Sequence, residues 1–252
     1  MSKVLIIGFG TVGHNLAEEL APLHPDIYDK YKPGHNTRDP YGGYDVAFIC
    51  VDTPYISGQC VCDTSEVVNA IRENDADIFV MKSTVLPGTV DRLCMETGKH
   101  IIFSPEYYGG TQHCNNFDFA FTILGGERRC CLKVQQLLQN VYDARHTFRI
   151  TDAKTAELAK YMENAFLATK VGFCTQFWLT AGQIGVDYEE LRELFVLDPR
   201  VGKAHTFVYD EHPFWSSHCL DKDVPAIAEI YRMPFLQGVI DFNDSMKKRF
   251  SE

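Results

Sequence analysis

The stretch WSSHCLDKD, Trp215 to Asp223, places one cysteine three residues before a lysine and four before an aspartate. A thiolate is a strong nucleophile, a neighbouring ammonium group favours its anionic form, and a carboxylate can hold or activate water. Cys219 could therefore be a nucleophile with two charged assistants, Lys222 and Asp223. The competing reading is an ordinary thiol beside a solvated helix start. In AELAKYMENAF, Lys160 and Asn164 are four apart and share a helix face one turn apart. A cation and an amide on a rigid rod suit an alkoxide or oxyanion. Glu157 and Glu163 compete as ion-pair partners of Lys160 at three-residue spacing, whereas Leu158, Ala159, Tyr161 and Met162 surround it with apolar bulk.

Such groups need elements to carry them. Lys3 to Ile7 reads as a strand entering Gly8-Phe9-Gly10-Thr11-Val12-Gly13, and His14 to Leu20 has helical apolar spacing. A second strand at Asp26 to Tyr28 ends on Asp29, 21 positions after Gly8. The spacing predicts a dinucleotide fold. One glycine makes the turn, one admits the pyrophosphate, one packs helix on strand, and the acid binds a ribose. Candidate cofactor residues are Gly8, Gly10, Thr11, Val12, Gly13, Asp29 and Lys30. An acid at Asp29 repels a 2′-phosphate and favours NAD over NADP, with Lys30 and Lys32 pulling the other way.

Further strands are expected at Val46 to Val51, Ile78 to Met81 and Ile101 to Phe103, with helices at Ser65 to Arg72 and Thr89 to Thr97. Alternation of this kind predicts a parallel sheet covered by helices, with ligands beyond the carboxyl ends of the strands. VDTP, KSTVLPGT and SPE fall there. They add Val51, Thr53, Pro54, Ser83 and Thr84 to the cofactor set and supply Glu106, a carboxylate in the crevice. Hydroxyls capping helix N-termini are the plain reading of Thr53 and Ser83, and turn formation that of Pro54 and Pro87. After a strand at Phe121 to Leu124, a helix from Glu127 to Asn140 and a strand from His146 to Ile150, composition changes. From Thr151 helical signals dominate: a long helix to Gly185, then Asp187 to Phe195, Val224 to Tyr231 and Pro234 to Phe250. The expected fold is α/β, a Rossmann-type parallel sheet domain at 1–150 followed by an all-helical domain at 151–252 that carries catalytic residues.

A formal net charge of −10 argues against nucleic acid and anionic membrane partners and favours a small molecule. The N-terminal apolar run is too short to span a bilayer and lacks an export signal. Nine cysteines without framework spacing fit a reducing cytoplasm. Cys60-x-Cys62 and Cys130-Cys131 lack histidine partners in register, so no metal is expected.

Together, GFGTVG, VDTP, KSTVLPGT, SPE, AELAKYMENAFLATKVGF, LDPRVG and C-x-x-K-D resemble the NAD-dependent nucleotide-sugar 6-dehydrogenases, typified by UDP-glucose and GDP-mannose dehydrogenases. That resemblance implies oxidation of a sugar primary alcohol to a carboxylate in two NAD-dependent steps. Cys219 would trap the aldehyde as a thiohemiacetal that becomes a thioester. Lys160 and Asn164 would stabilise oxygen, Thr84, Glu106 and Asp223 would position or activate water, and Lys222, Tyr107 and Tyr108 would contact substrate. It also implies a homodimer paired through the long helix, and a third, nucleotide-binding domain that this shorter chain lacks. The sequence departs from the family where G-F-G-G-x-C becomes Phe214-Trp215-Ser216-Ser217-His218-Cys219, where a glutamate becomes Gly110, and where Asn-Glu becomes Thr175-Gln176. A one-step hydroxyacid dehydrogenase, or a catalytically silent NAD-binding protein, shares much of this layout.

Overall fold

A computed structural model describes residues 2–39, 41–56, 58–59, 61–109, 113 and 119–250. The chain divides into two compact units: Met1–Ile56 with Val61–Tyr108 and Asp118–Lys160, and Ser57–Cys60 with Gly109–Phe117 and Tyr161–Glu252. Cys60 and Gly110 lie outside the described residues.

The first unit is built in the order β1 (Val4–Ile7), α1 (Thr11–Glu19), β2 (Asp26–Tyr28), β3 (Tyr44–Ile49), β4 (Tyr55–Ile56), β5 (Val61–Cys62), α2 (Ser65–Glu73), β6 (Ala76–Met81), α3 (Thr89–Thr97), β7 (Ile101–Phe103), β8 (Phe121–Gly125), α4 (Arg128–Leu138) and β9 (Thr147–Thr151). Seven strands form one sheet in the order β2-β1-β3-β6-β7-β8-β9, while β4 and β5 make a separate antiparallel hairpin that the sequence did not signal. Strands of the sheet alternate between two buried faces. Leu5, Ile7, Ala47, Ile49, Phe79 and Met81 pack on one side, and Val4, Ile6, Val46, Phe48, Ile78 and Val80 on the other. This is why the strands read as unbroken apolar runs.

Register fixes where the loops emerge. Ile7 pairs with Tyr28 and Ile49, Ile49 with Met81, and Met81 with Phe103, all in parallel. The segments that follow therefore leave one edge of the sheet together. The sheet is mostly parallel, as expected, with one antiparallel pair: β7 and β8, where Phe103 lies opposite Gly125.

Helix α5 (Ala153–Ile184) begins in the first unit and continues into the second, which adds α6 (Tyr188–Phe195), α7 (Leu220–Ile230) and α8 (Pro234–Phe250). Asp187 caps α6 by accepting from the amides of Glu189 and Glu190. Helix α7 starts at Leu220, four residues before the expected Val224, because Pro225 sits inside the helix rather than opening it. Cys219 thereby becomes the residue at its N-cap. Among the described residues no helix is long and apolar enough to cross a membrane, and the seven described cysteines are free thiols.

Glu157, expected to compete for Lys160, instead closes the start of α3. It is fully buried, and its Oε2 and Oε1 accept from the amides of Gly88 at 2.5 Å and Val90 at 2.9 Å. Burial pushes its carboxyl up to about 7, against the pull of those two amides. A raised carboxylic pKa means the folded chain holds a proton that the unfolded chain has lost. The stability Glu157 confers is thus complete below pH 4.5 and declines as pH rises through about 7. Denaturant titrations should find wild type losing roughly 3 kcal/mol relative to Glu157→Gln between pH 4.5 and 8; a pH-independent difference would refute the assignment.

Candidate active site

The GFGTVG turn joins β1 to α1 by close contacts. Gly8 has φ +91°, and a Cβ there would lie 2.8 Å from the Cys50 carbonyl oxygen. A Cβ on Gly13 would lie 1.9 Å from the Gly8 oxygen, so helix and strand touch through the backbone. Above Gly10, by contrast, nothing lies within 4 Å of a Cβ position. That open side, beside the start of α1 where Thr11 is exposed and Val12 half-buried, is what a pyrophosphate needs. Asp29 is buried, and its carboxylate accepts from the amides of Phe9 at 2.7 Å and Tyr31 at 2.8 Å. The acid is locked onto the glycine turn.

A cleft of about 400 Å³ opens there, lined by Gly8, Gly10, Asp29, Lys30, Val51 and Pro54, with Glu66 across from them. Lys30 reaches both Glu66 oxygens at 2.9 Å, and Lys32 donates to the Phe9 carbonyl at 2.8 Å. Hydrogen bonding to Glu66 raises the Lys30 pKa. Both cations that would welcome a 2′-phosphate are engaged elsewhere. Thr53 and Ser83 do not cap helices: Thr53 donates to the Thr84 carbonyl at 2.6 Å and Ser83 to the Val51 carbonyl at 2.6 Å. These hydroxyls tie the loop after β3 to the loop after β6. A larger hollow of about 550 Å³, lined by Arg38, Tyr44, Arg72, Asn74 and Lys99, lies where β3 and β6 begin and holds none of the expected residues.

Beyond β7, Glu106 is 7% exposed and its Oε2 accepts from the Tyr108 amide at 2.7 Å. The Tyr108 hydroxyl donates to Glu19, which also accepts from Tyr142, and burial beside Glu19 raises both phenolic pKa values. The Tyr108 main-chain amide thus holds Glu106, while its hydroxyl is bonded to Glu19. Tyr107 lies under Lys160, whose Nζ is 4.7 Å from the ring centroid. Buried Lys82 sends its Nζ to within 3.3 Å of the Pro105 carbonyl and 3.5 Å of Ser104 Oγ, so a second lysine braces the SPE loop. Desolvation lowers the Lys82 pKa while the charges of Glu19, Cys50 and Glu106 pull it back.

In the second unit Asp223 is 1% exposed and gathers two donors. Asn164 Nδ2 lies 2.7 Å from its Oδ2 and Lys222 Nζ 2.5 Å from its Oδ1. Cys219, half-buried, precedes them at the start of α7, where first-turn amides favour a negative charge.

Comparison with known proteins finds similarity over most of the chain. Residues 154–245 match the model of the UDP-glucose/GDP-mannose dehydrogenase family, central domain. Those residues are similar to that central domain. The chain is 27% identical over 216 residues to the UDP-N-acetyl-D-mannosamine dehydrogenase of Methanocaldococcus jannaschii, covering 80% of this chain and 49% of that one. It is 29% identical over 211 residues to the UDP-glucose 6-dehydrogenase of Rickettsia bellii, covering 78% and 47%. It thus spans about half the length of these curated relatives. A solved UDP-glucose dehydrogenase from Pyrobaculum islandicum shares the fold with a TM-score of 0.80 at 23% identity, over 98% of this chain and 69% of that one.

Two residues beside the candidate site gave little or no sign of their role in the sequence. Lys82 opens the KSTVLPGT segment directly after a buried strand, a position that signals a buried ammonium. Glu19 gave no signal, because its partners Tyr108 and Tyr142 are 89 and 123 residues away. Gly13→Ala should cost at least about 3 kcal/mol by overpacking the helix–strand contact. Thermal and denaturant unfolding would check this; a change below 1 kcal/mol would mean that contact is slack.

Proposed function

We propose that this chain oxidises the primary alcohol of a nucleotide sugar to a carboxylate in two NAD-dependent steps, with Cys219 holding the aldehyde carbon between them. The observation that carries the reading is the buried Asn164–Asp223–Lys222 set next to a cysteine at a helix start, in a segment of nucleotide-sugar dehydrogenase type. NAD would be held by Gly8 to Gly13, Asp29, Val51 to Pro54 and Ser83 to Thr84, and when bound it supplies a two-electron acceptor. Asp29 and the Lys30–Glu66 pair favour it over a 2′-phosphorylated cofactor.

Lys160 and Asn164 hold the substrate oxygen as charge develops on it, which requires donors that are fixed and dry; both are 4% exposed. The Cys219 thiolate adds to the aldehyde carbon, giving a thiohemiacetal whose oxygen takes up a proton. Loss of a hydride and that proton leaves a thioester, and water, positioned by Glu106, Thr84 and Asp223, cleaves the C–S bond to release the acid and the thiol. Lys222, Tyr107 and Tyr108 face the substrate in this scheme, the Tyr108 amide also holding Glu106.

The partner we propose is a second copy of the chain. Met162, Phe166, Phe173, Phe177 and Ile184 form an exposed apolar stripe along α5, at spacings of four and seven residues. Sedimentation should give twice the 28.6 kDa chain mass, falling to one chain in Phe173→Glu/Phe177→Glu; a wild-type monomer would refute the pairing.

Turnover decides the chemistry. Incubation with NAD and a panel of nucleotide sugars, free sugars and hydroxyacids should yield two NADH per acid formed, and Cys219→Ser should abolish acid formation. One NADH per product, insensitive to Cys219→Ser, would identify a single-step hydroxyacid dehydrogenase instead. Tight NAD binding without any turnover would identify a silent binding protein.

A further inference from the structure

The loop ahead of Cys219 reads Phe214-Trp215-Ser216-Ser217-His218, with side chains where the resembled family has glycines. Its shape must therefore be imposed by side-chain bonds. Asn243 on α8 is 1% exposed, and its amide pairs with both main-chain groups of Trp215: the Trp215 N–H donates to Oδ1 at 2.9 Å and Nδ2 donates to the Trp215 carbonyl at 3.0 Å. One helical turn on, Lys247 Nζ sits 2.6 Å from Asp221 Oδ1 and 5.1 Å from the centroid of the Trp215 ring. The other Asp221 oxygen accepts from Ser216 Oγ at 3.3 Å. Ser217 acts at the helix start, where its Oγ accepts from the Leu220 amide at 3.1 Å and its carbonyl from the Asp221 amide at 3.0 Å.

Asn243 and Lys247 share a face of α8 and grip the chain on either side of Cys219, four residues before it and two after it. The serines close the ring through Asp221. We infer that Asn243 and Lys247 are positioning residues for Cys219, acting through Trp215 and Asp221, and that Ser216 and Ser217 replace a glycine-shaped loop with a side-chain-braced one. An amide that satisfies both groups of one peptide fixes that residue as a strand partner would, and a buried asparagine in that role leaves no slack. The inference rests on the reading of Cys219 as nucleophile, but its geometry concerns only where the thiol is held.

Two measurements test it. The first is the rate of Cys219 alkylation by iodoacetamide, followed by peptide mass spectrometry on the high-pH plateau, where thiols are ionised and the rate reads access alone. Asn243→Ala and Lys247→Ala should each accelerate alkylation at least about threefold by loosening the loop. The second is turnover with UDP-glucose or GDP-mannose, whichever the wild type oxidises, where the same variants should lower kcat about tenfold or more with KM for NAD unchanged. Lys247→Arg should restore both values. Ser216→Ala combined with Lys247→Ala should do less than the product of the single effects, since both act through Asp221. Lys247 is partly exposed, so that variant keeps the test available if Asn243→Ala fails to fold. Unchanged alkylation in folded Lys247→Ala would overturn the inference. Faster alkylation in the variants, with a wild type that turns over no sugar, would keep the positioning and discard the proposed reaction.

Discussion

A carboxylate taken almost wholly out of water must be given donors, and Asp223 is that group in the second unit. Its two oxygens receive an amide from α5 and an ammonium from its own helix. Left alone, a charge so buried would cost several kcal/mol. Paired this way, it fixes the rotamers of Asn164 and Lys222 and ties the first turn of α7 to the long helix. Every chemical role assigned to this half of the molecule presumes that the pairing holds, because a mobile amide or ammonium would offer a developing oxyanion little more than water does.

The first unit meets the same problem with main-chain partners. Asp29 is satisfied by amides of the glycine turn and the following residue, Glu106 by the Tyr108 amide, and Glu157 by the amides that open α3. Acids held by backbone keep their positions whichever way neighbouring side chains turn. Lys82, buried beneath the SPE loop, is the complementary case: a cation held near carbonyl and hydroxyl oxygens amid several acids.

Strand positions were legible in the sequence because both faces of the sheet are buried, so each strand declares itself as a run of branched and aromatic residues bounded by polar turns. The long helix was equally plain, and its ends fell within two residues of expectation. What the pattern hid was set by distant partners. The direction of β8 depends on what connects it to β7, which periodicity does not encode. The two-residue strands of the β4–β5 hairpin are too short to show alternation. Glu157 looked like a partner for Lys160 by spacing alone, and only the fold reveals the amides it serves. Pro225 displaced the expected start of α7, since a proline usually marks an opening turn. Of the site, the residue types and their order could be read directly, whereas the bonds that fix them could not.

The ion pair between Lys30 and Glu66 reaches beyond the cofactor cleft that it borders. Under the proposed NAD role, selectivity against a phosphorylated ribose would rest on two acids with different tasks: one would repel the phosphate, and the other occupies the ammonium that would receive it. An ancestral or engineered change at Asp29 alone would leave that ammonium sequestered, whereas loss of Glu66 would expose a ready-made anion receptor at the cleft rim. If the cleft holds a nicotinamide coenzyme as proposed, a change of coenzyme would therefore begin on α2, a helix far in sequence from the glycine turn.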